Sequence, residues 1–396
     1  MFSPLRKSTQ SERFSHANKQ KASKATKDSH SLQNSSKFTH SIHLAPPPKK
    51  NQSTPLTLTS LHITSINHQM NKNELKTKYK ELQEKKVAII LPVYNAADVL
   101  SECLDSLLSQ THQNIDIFAI NDASTDDSLK ILTEFQKKDS RVKIYTLKHN
   151  VGVSEARNTA LQLIEKAKIY DYVSFCDSDD TTSSEMISEL LFALTTNDAD
   201  VSTCCYKSIP ENHNTRNRSE NSFSFGPEIF VEQIFSAGKW KNTPGGGGYV
   251  WLRLFDTKKI AGLRFKNERI LSEDELFLLE VATKIEKIAY TSKQLYYYRY
   301  RENSLCRNKE YSRKLLRSRI VALPLSISIS RYASIVNSYA ILRKAKGNED
   351  LFDKKLLNTI TPLLLEACKL NLVPKRKVLV FFIRTLKNRI CLTPTK

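Results

Sequence analysis

The sequence lacks the features that would indicate a membrane span, a secreted protein or a structural metal site. No apolar run reaches the roughly 18 residues that would indicate a transmembrane helix. Residues 1–50 contain no short apolar segment behind a basic start, which argues against a secretory signal peptide. The seven cysteines form no CxxC pair and no metal-ligand spacing. We therefore expect reduced core cysteines, Cys103 and Cys176 among them, in a cytoplasmic protein.

Acidic residues are scarce at both ends of a chain whose formal net charge is +20. Residues 1–69 contain ten Lys or Arg against Glu12 and Asp28, and the segment after Pro374 contains seven and no acid. Because the excess positive charge lies mainly in the two ends, we expect tails attracted to anionic surfaces and no basic groove in the core. A nucleic-acid partner is therefore not expected.

The composition divides the chain into three parts. Residues 1–75 are rich in Ser, Thr, Lys, His and Asn without sustained periodicity, which predicts a disordered basic tail. Within this part, Met70 is followed by a typical protein start, and we expect residues 1–69 to be an artefact of start-site assignment. Residues 86–305 are predicted to form one α/β domain. Residues 306–396 are predicted to form a helical C-terminal extension.

Four apolar, β-prone segments alternate with amphipathic segments of helical period in the first half of the domain. The predicted strands begin at Val87, Ile115, Arg141 and Asp171. Repeated strand–helix alternation predicts a mostly parallel central sheet covered by helices on both faces.

Polar residues follow the predicted strands, with Asn95, Asp122 and Asp177 at three of the strand ends. Ligands of open α/β sheets bind just past the carboxyl ends of the strands. Residues two apart on a strand share a face, so we expect Asp177 and Asp179 to point the same way, with Ser178 between them. Carboxylates at such an edge suit Mg²⁺ or Mn²⁺ on a nucleotide diphosphate. The alternative is a polar turn that caps the next helix.

Glycine is scarce, with nine residues, yet four of them form the run Gly245–Gly248. Glycine has the largest backbone freedom, so this run is predicted to be mobile, either as a lid or as a linker. Further along, Ser272 is predicted to cap a helix whose first turn carries Glu273 and Asp274.

The order of the segments resembles the family 2 glycosyltransferases, inverting enzymes of the GT-A fold that include many bacterial polysaccharide enzymes. The resemblance covers roughly Lys86–Leu305 and rests on AIILPVYNAADVL, IDIFAINDASTDDS, KHNVGVSEARNTAL, FCDSDD, VWLRLF, GLRFKNERILSEDELF and YYYRYRENS. It implies that residues 86–305 form a GT-A domain that transfers a hexose from a UDP-sugar, with a divalent metal, to a glycan or lipid-linked hydroxyl. It also implies a role in surface polysaccharide biosynthesis.

The resemblance implies a nucleotide site whose residues mostly follow the strand ends: Pro92, Val93, Tyr94, Asn95, Asp122, Arg157, Asp177, Ser178 and Arg301. The loop from Pro92 to Asn95 would wrap the uracil, and Asp122 would accept a hydrogen bond from the base. Asp177 would contact the ribose, and Asp179 would bind Mg²⁺ or Mn²⁺. Two alternatives stay open: Asn95 as a helix cap, and Arg157 as a salt-bridge partner of the acids. Asp180 would complete the motif, and Arg299 would be the alternative to Arg301.

The resemblance implies that Asp274 is the base that deprotonates the acceptor hydroxyl, with Glu273 as the second candidate. Attack from the face opposite UDP would invert the anomeric carbon. The alternative is that both acids only stabilise the N-terminus of their helix.

The C-terminal stretch from Lys375 combines apolar and basic side chains, as interfacial amphipathic helices do. Its apolar and basic members include Val378, Leu379, Phe381, Phe382 and Leu386, and Lys375, Arg376, Lys377, Arg384 and Lys387. We expect peripheral attachment to the inner face of the cytoplasmic membrane. The alternative is burial of the segment against the main domain.

Two other functions are compatible with parts of the sequence. A nucleotidyltransferase also builds an α/β sheet around paired acids, but it needs a Gly-rich, cationic loop after the first strand, and LPVYNAADV has neither feature. A nucleic-acid-binding protein would explain the positive charge, but that charge should form a patch on the folded domain.

Overall fold

The structure is a computed structural model, and it describes residues 72–210, 222–236, 247–266, 273–300, 309–329, 331–346, 348–369 and 375–391. Two residues singled out from the sequence, Ser272 and Arg301, lie outside the described residues, as does the expected tail up to residue 71.

The described residues contain nine strands: β1 (Val87–Val93), β2 (Ile115–Asn121), β3 (Val142–Thr146), β4 (Tyr172–Phe175), β5 (Thr181–Thr182), β6 (Val201–Ile209), β7 (Ser222–Phe225), β8 (Arg253–Asp256) and β9 (Ile288–Arg299). The helices of the first part are α1 (Lys72–Glu84), α2 (Leu100–Leu108), α3 (Ser128–Lys138), α4 (Val153–Ala167), α5 (Met186–Thr196), α6 (Pro227–Ser236) and α7 (Glu273–Ala282). The C-terminal helices are α8 (Lys309–Val321), α9 (Leu323–Ile329), α10 (Arg331–Lys344), α11 (Lys354–Lys369) and α12 (Lys375–Cys391).

All nine strands belong to one sheet with the order β3-β2-β1-β4-β8-β6-β9-β5, and β7 pairs with β9. The first four strands of this order are parallel, as predicted from the strand–helix alternation. The second half is mixed, because β8 runs antiparallel to β4 and to β6, whereas β6 and β9 are parallel. The carboxyl ends of β1, β2 and β4 therefore meet at one edge of the sheet.

The sheet has a hydrophobic core on each face. In β1, Ala88 and Ile90 pack in one cluster with α4, α6 and α7, while Ile89 and Leu91 pack in the other with α2 and α5. This alternation is the period of two that an extended strand imposes. The expected double cover of the sheet is confirmed.

The described chain begins upstream of Lys86, where the domain was expected to start. α1 begins at Lys72, and its Leu82 is 4% exposed within the core cluster on the α2 and α5 face of the sheet. Its apolar residues Leu75, Tyr79 and Leu82 recur at i, i+4 and i+7, the period of an amphipathic helix. Residues 72–75 therefore belong to a helix and not to the predicted disordered tail.

The C-terminal helices form a third apolar cluster of their own, which includes Ile341, Leu364 and Phe381. Their connection to the α/β part includes an ion pair in which Arg319 of α8 donates to Glu275 of α7 at 3.0 Å. A helical extension was predicted here and is present. Within the described ranges, no helix is both long enough and apolar enough to cross a lipid bilayer.

Candidate active site

The acids that follow β4 form a turn and do not continue the strand. β4 ends at Phe175, and the backbone N–H of Asp180 donates to the carbonyl of Asp177 at 3.1 Å. The strand argument for a shared face of Asp177 and Asp179 was therefore wrong. The turn is also not a helix cap, because α5 starts at Met186 and Glu185 occupies its N-cap.

The last acid of this turn, Asp180, fastens the turn to the end of β9. Its carboxylate accepts the hydroxyl of Tyr296 at 2.8 Å and the backbone N–H of Arg299 at 2.7 Å. Burial, together with the charges of Asp177 and Asp179, raises the pKa of Asp180 to about 8. The acids of this turn therefore disfavour one another's negative charge.

Arg157, on the second turn of α4, joins acids from two distant segments. Its Nη2 donates to Asp177 at 2.9 Å, and its Nη1 donates to Asp274 at 2.7 Å and to Glu273 at 3.1 Å. The guanidinium lies over the ring of Phe265 at 5.2 Å and is only 3% exposed. Burial opposes its charge, but the three carboxylates raise the pKa of Arg157 above the ordinary value. These contacts are the ones expected from the alternative in which Arg157 forms salt bridges with the acids.

Of the two acids at the start of α7, Asp274 is the more enclosed, with 13% of its side chain exposed against 22% for Glu273. Its second oxygen accepts the backbone N–H of Val250 at 3.1 Å. Burial raises the pKa of Asp274 to about 7, with the negative charges of Glu273 and Asp177 adding to the effect and Arg157 opposing it. A carboxyl with this pKa can exchange a proton near neutral pH, as a general base requires.

Asp122 lies at the end of β2, is 3% exposed and holds the loop before α4. Its two carboxylate oxygens accept the backbone N–H groups of Val151 and Gly152, each at 2.8 Å. Gly152 has φ 91°, a conformation that favours glycine. Asp122 therefore positions the N-terminus of α4, which carries Arg157. Its contact with a base stays a prediction.

The loop after β1 is tied to the loop after β2. Asn95 has φ 48°, and its side-chain oxygen accepts the backbone N–H of Thr125 at 2.8 Å. The helix-cap alternative for Asn95 is wrong, because α2 begins at Leu100. Pro92 and Val93 are the last residues of β1, and the side chain of Tyr94 is 49% exposed beyond them. The backbone of the predicted nucleotide loop is thus held by hydrogen bonds, and the ring of Tyr94 is exposed.

The remaining predicted residues of the turn, Ser178 and Asp179, are partly exposed at the same edge. The side chain of Arg299 donates from Nε to the carbonyl of Asp179 at 3.1 Å. Among the described residues, no group of three or more His, Cys, Asp or Glu is arranged to hold a metal ion. Magnesium sites on nucleotides use one or two carboxylates and complete the shell with phosphates and water. The acid turn, in which Asp177 and Asp179 act electrostatically on Asp180, fits a divalent cation of that kind.

Sequence reasoning missed two residues that complete this arrangement. The hydroxyl of Tyr296 accepts the backbone N–H of Asp177 at 3.2 Å while donating to Asp180, so one tyrosine fixes both ends of the turn. The backbone N–H of Val250 fixes Asp274. Alternation within the run YYYRY could have marked Tyr296 as inward-facing, but nothing local to Val250 signals its contact.

Comparisons with known proteins agree on one family. Residues 88–260 match the family model described as "Glycosyl transferase family 2". The chain is 33% identical over 236 residues to the glycosyltransferase GlyA of Streptococcus pneumoniae serotype 4, covering 57% of this chain and 32% of GlyA. It is 30% identical over 220 residues to the poly(ribitol-phosphate) beta-glucosyltransferase of Bacillus spizizenii, covering 54% of this chain and 32% of that protein. The chain thus spans about a third of the length of either relative.

The fold is similar to that of a solved crystal structure. TarS 1-349 of S. aureus, crystallised in complex with UDP-GlcNAc, superposes with a TM-score of 0.54 over 74% of this chain and 82% of that chain. The sequence identity is 18%, so this likeness concerns the architecture of the chain.

Proposed function

This chain belongs to glycosyltransferase family 2 and has the GT-A fold, and from this premise we propose that it is an inverting glycosyltransferase. Its donor is a UDP-sugar, and its acceptor is a hydroxyl of a glycan or lipid-linked saccharide in bacterial surface polysaccharide synthesis. The family match favours this function over a nucleotidyltransferase and over nucleic-acid binding. The UDP-GlcNAc in the TarS crystals and the polymer named in the Bacillus relative support the choice of donor and acceptor class.

The observation that carries the proposal is the ion-pair cluster around Arg157. It holds Asp177, from the turn after β4, and Asp274, from the start of α7, on one buried guanidinium. A displacement at a sugar carbon needs a leaving-group site on one side and a base on the other. The cluster keeps these two sides at a fixed separation.

We assign the donor side to the edge formed by the ends of β1, β2 and β4. The uracil would lie against the exposed ring of Tyr94 and the backbone from Pro92 to Asn95. Asp122 has both oxygens occupied by backbone N–H groups, yet each oxygen retains a lone pair that can accept the N–H of a base. Asp177 and Ser178 would contact the ribose.

Asp274 would take the proton of the acceptor hydroxyl while the hydroxyl oxygen attacks the anomeric carbon. The bond between that carbon and the β-phosphate oxygen of UDP breaks in the same step. Attack on the side opposite the leaving group inverts that carbon. Asp179 would hold Mg²⁺ or Mn²⁺, which when bound stabilises the negative charge developing on the departing diphosphate. Arg299 donates to the Asp179 carbonyl and so orients the turn.

The experiment that tests the function is a screen of UDP-sugars for UDP release, with Mn²⁺, with Mg²⁺ and with chelator. The expected result is release from one or a few UDP-sugars that depends on the metal. Absence of release from every UDP-sugar, with or without saccharide acceptors, would contradict the proposed donor class.

Asp179→Asn tests the metal site directly. The expected result is that Mn²⁺ no longer strengthens UDP binding, a loss of roughly 10- to 100-fold in affinity, because an amide has no charge to attract the cation. Calorimetric titration of UDP with and without Mn²⁺ measures this. Asp105→Asn, which removes an exposed acid from α2, is the control and should behave like the wild type. Equal stimulation by Mn²⁺ in both variants would exclude Asp179 as the ligand.

The second part of the proposal is peripheral membrane contact through α12. Val378 and Phe381 are 4% and 5% exposed in the C-terminal cluster, so these two side chains are buried against the other C-terminal helices. Leu379 and Ile383, four residues apart on one side of the helix, are 60% and 45% exposed, and the basic residues 375–377 are exposed nearby. We propose that Leu379 and Ile383 enter an anionic bilayer surface on the cytoplasmic side.

A double variant, Leu379→Glu with Ile383→Glu, tests this contact. The fraction that sediments with anionic vesicles should fall about tenfold, since two apolar side chains no longer enter the lipid and two negative charges repel it. Leu365→Glu is the control, because Leu365 on α11 is similarly exposed at 51%. If the double variant sediments like this control, α12 is not the attachment site.

A further inference from the structure

A stack of aromatic rings runs beside Asp274 and is not used by the proposed chemistry. The ring of Trp251 is stacked on Tyr296, with centroids 4.2 Å apart and planes at 22°, and on Tyr249, at 4.7 Å and 17°. Tyr206 meets both Trp251 and Tyr249 edge-on, at 5.4 and 6.1 Å. Such geometries are the favourable ones for aromatic pairs, so the rings hold one another in place.

Exposure increases along the stack. Tyr296 and Trp251 are 0% and 4% exposed and belong to the core, whereas Tyr249 is 37% exposed. A packing role accounts for the first two rings. Packing does not account for the third ring, that of Tyr249, which is exposed at the surface while it stacks on the buried rings.

The backbone that carries Tyr249 is fixed from below. The fully buried Arg253 donates to the carbonyls of Gly247 and Tyr249, the former at 2.7 Å. Gly247 has φ 64°, and a Cβ on Gly248 would lie 2.6 Å from Cγ of Glu275. The last two glycines of the run that was predicted to be mobile are thus held in place. The earlier residues of that run lie outside the described part of the chain.

The stack is continuous with both sides of the candidate active site. Val250, next to Tyr249, donates its N–H to Asp274, while Tyr296 contacts Asp177 and Asp180. Tyr249 is thus the chain neighbour of the residue whose N–H holds the carboxylate assigned as the base. The apolar C–H face of a pyranose ring matches an aromatic face, and its hydroxyls remain free at the edges to reach polar groups.

We propose that Tyr249 is the platform for a pyranose ring of the acceptor, which it orients with one hydroxyl toward Asp274. This inference rests on the proposed function, because it takes Asp274 to be the base. It adds the chemical class of the acceptor: a saccharide in ring form next to the reacting hydroxyl, in contrast to an acyclic polyol chain.

Binding of model compounds to the full chain tests the platform without requiring turnover. The probes are methyl β-D-glucopyranoside, methyl β-D-galactopyranoside and the acyclic D-ribitol, titrated by saturation-transfer NMR. Tyr249→Ala should weaken pyranoside binding roughly 3- to 10-fold, the range expected from losing one ring contact, whereas Tyr249→Phe should retain it. D-Ribitol should bind more weakly than the pyranosides, and neither substitution of Tyr249 should change its affinity.

Tyr145→Ala is the matched control. Tyr145 is also 37% exposed and is stacked on Phe118 with centroids 6.0 Å apart, but it lies on β3 at the sheet edge. It should leave pyranoside binding unchanged. The platform is refuted if Tyr249→Ala binds pyranosides like the wild type, or if D-ribitol loses as much affinity as they do.

The UDP-release assay separates this inference from the proposed function. If pyranoside binding depends on Tyr249 but no UDP-sugar is turned over, the proposed function fails and a saccharide platform remains. If UDP-sugar is turned over and the acceptor KM is unchanged in Tyr249→Ala, the platform fails and the function stands.

Discussion

Replacing Asp274 by Asn is expected to reduce sugar transfer by about 10²–10⁴-fold, the usual contribution of a positioned general base. The amide cannot accept the proton of the acceptor hydroxyl at neutral pH. Donor binding should change little, because the nucleotide side of the site lies on the other side of Arg157. The measurement is initial transfer rate at saturating donor, together with the Kd of UDP.

Glu273→Gln is the matched control, since Glu273 shares the Nη1 of Arg157 with Asp274 and differs mainly in exposure. It should lower the transfer rate far less. A larger loss in Glu273→Gln than in Asp274→Asn would reverse the assignment of the base.

The pH profile of transfer gives a second readout of the same prediction. A base is active when deprotonated, and the pKa of Asp274 is raised by burial to about 7, so the rate should rise with pH through about 7. The charge of Glu273 contributes to that rise in pKa. Glu273→Gln should therefore shift the profile to lower pH if Asp274 is the group that titrates.

Replacing Arg157 by Ala is expected to destabilise the fold by about 3–5 kcal/mol, as removal of one partner of a buried ion pair does, and to abolish transfer. Three carboxylates would face one another without a cation, and Asp177 and Asp274 would no longer be held together. Urea unfolding followed by circular dichroism measures the stability. Arg157→Lys keeps the charge, but a single ammonium lacks the planar fork that reaches all three acids.

Arg264→Ala is the control for this prediction. Arg264 also pairs with a carboxylate, that of Glu165, but both side chains are about a third exposed, at 30% and 29%. An exposed pair contributes about 0–1 kcal/mol, so the unfolding midpoint should move little. If Arg157→Ala and Arg264→Ala unfold at the same urea concentration, the cluster around Arg157 does not stabilise the fold.

The elements that sequence reasoning located well are those with a strong local signal. The helix from Val153 to Ala167 follows from apolar periodicity, and the parallel strands β1, β2 and β4 follow from uninterrupted apolar, β-prone runs. The turn at Asp177–Asp180 was predicted to continue the strand, because β-prone residues directly precede it in the sequence. Strand propensity does not reveal where pairing stops, and here β8 pairs only as far as Ser174.

The sequence by itself determined that acids follow the strands of a parallel α/β sheet, and that a second acidic pair starts a later helix. Only the tertiary structure decided that these groups share Arg157, which is separated from Asp274 by 117 positions in the chain. It also decided which acid is buried enough to titrate near pH 7. Desolvation and charge interactions are sums over neighbours in space, and such neighbours become known only once the chain has folded.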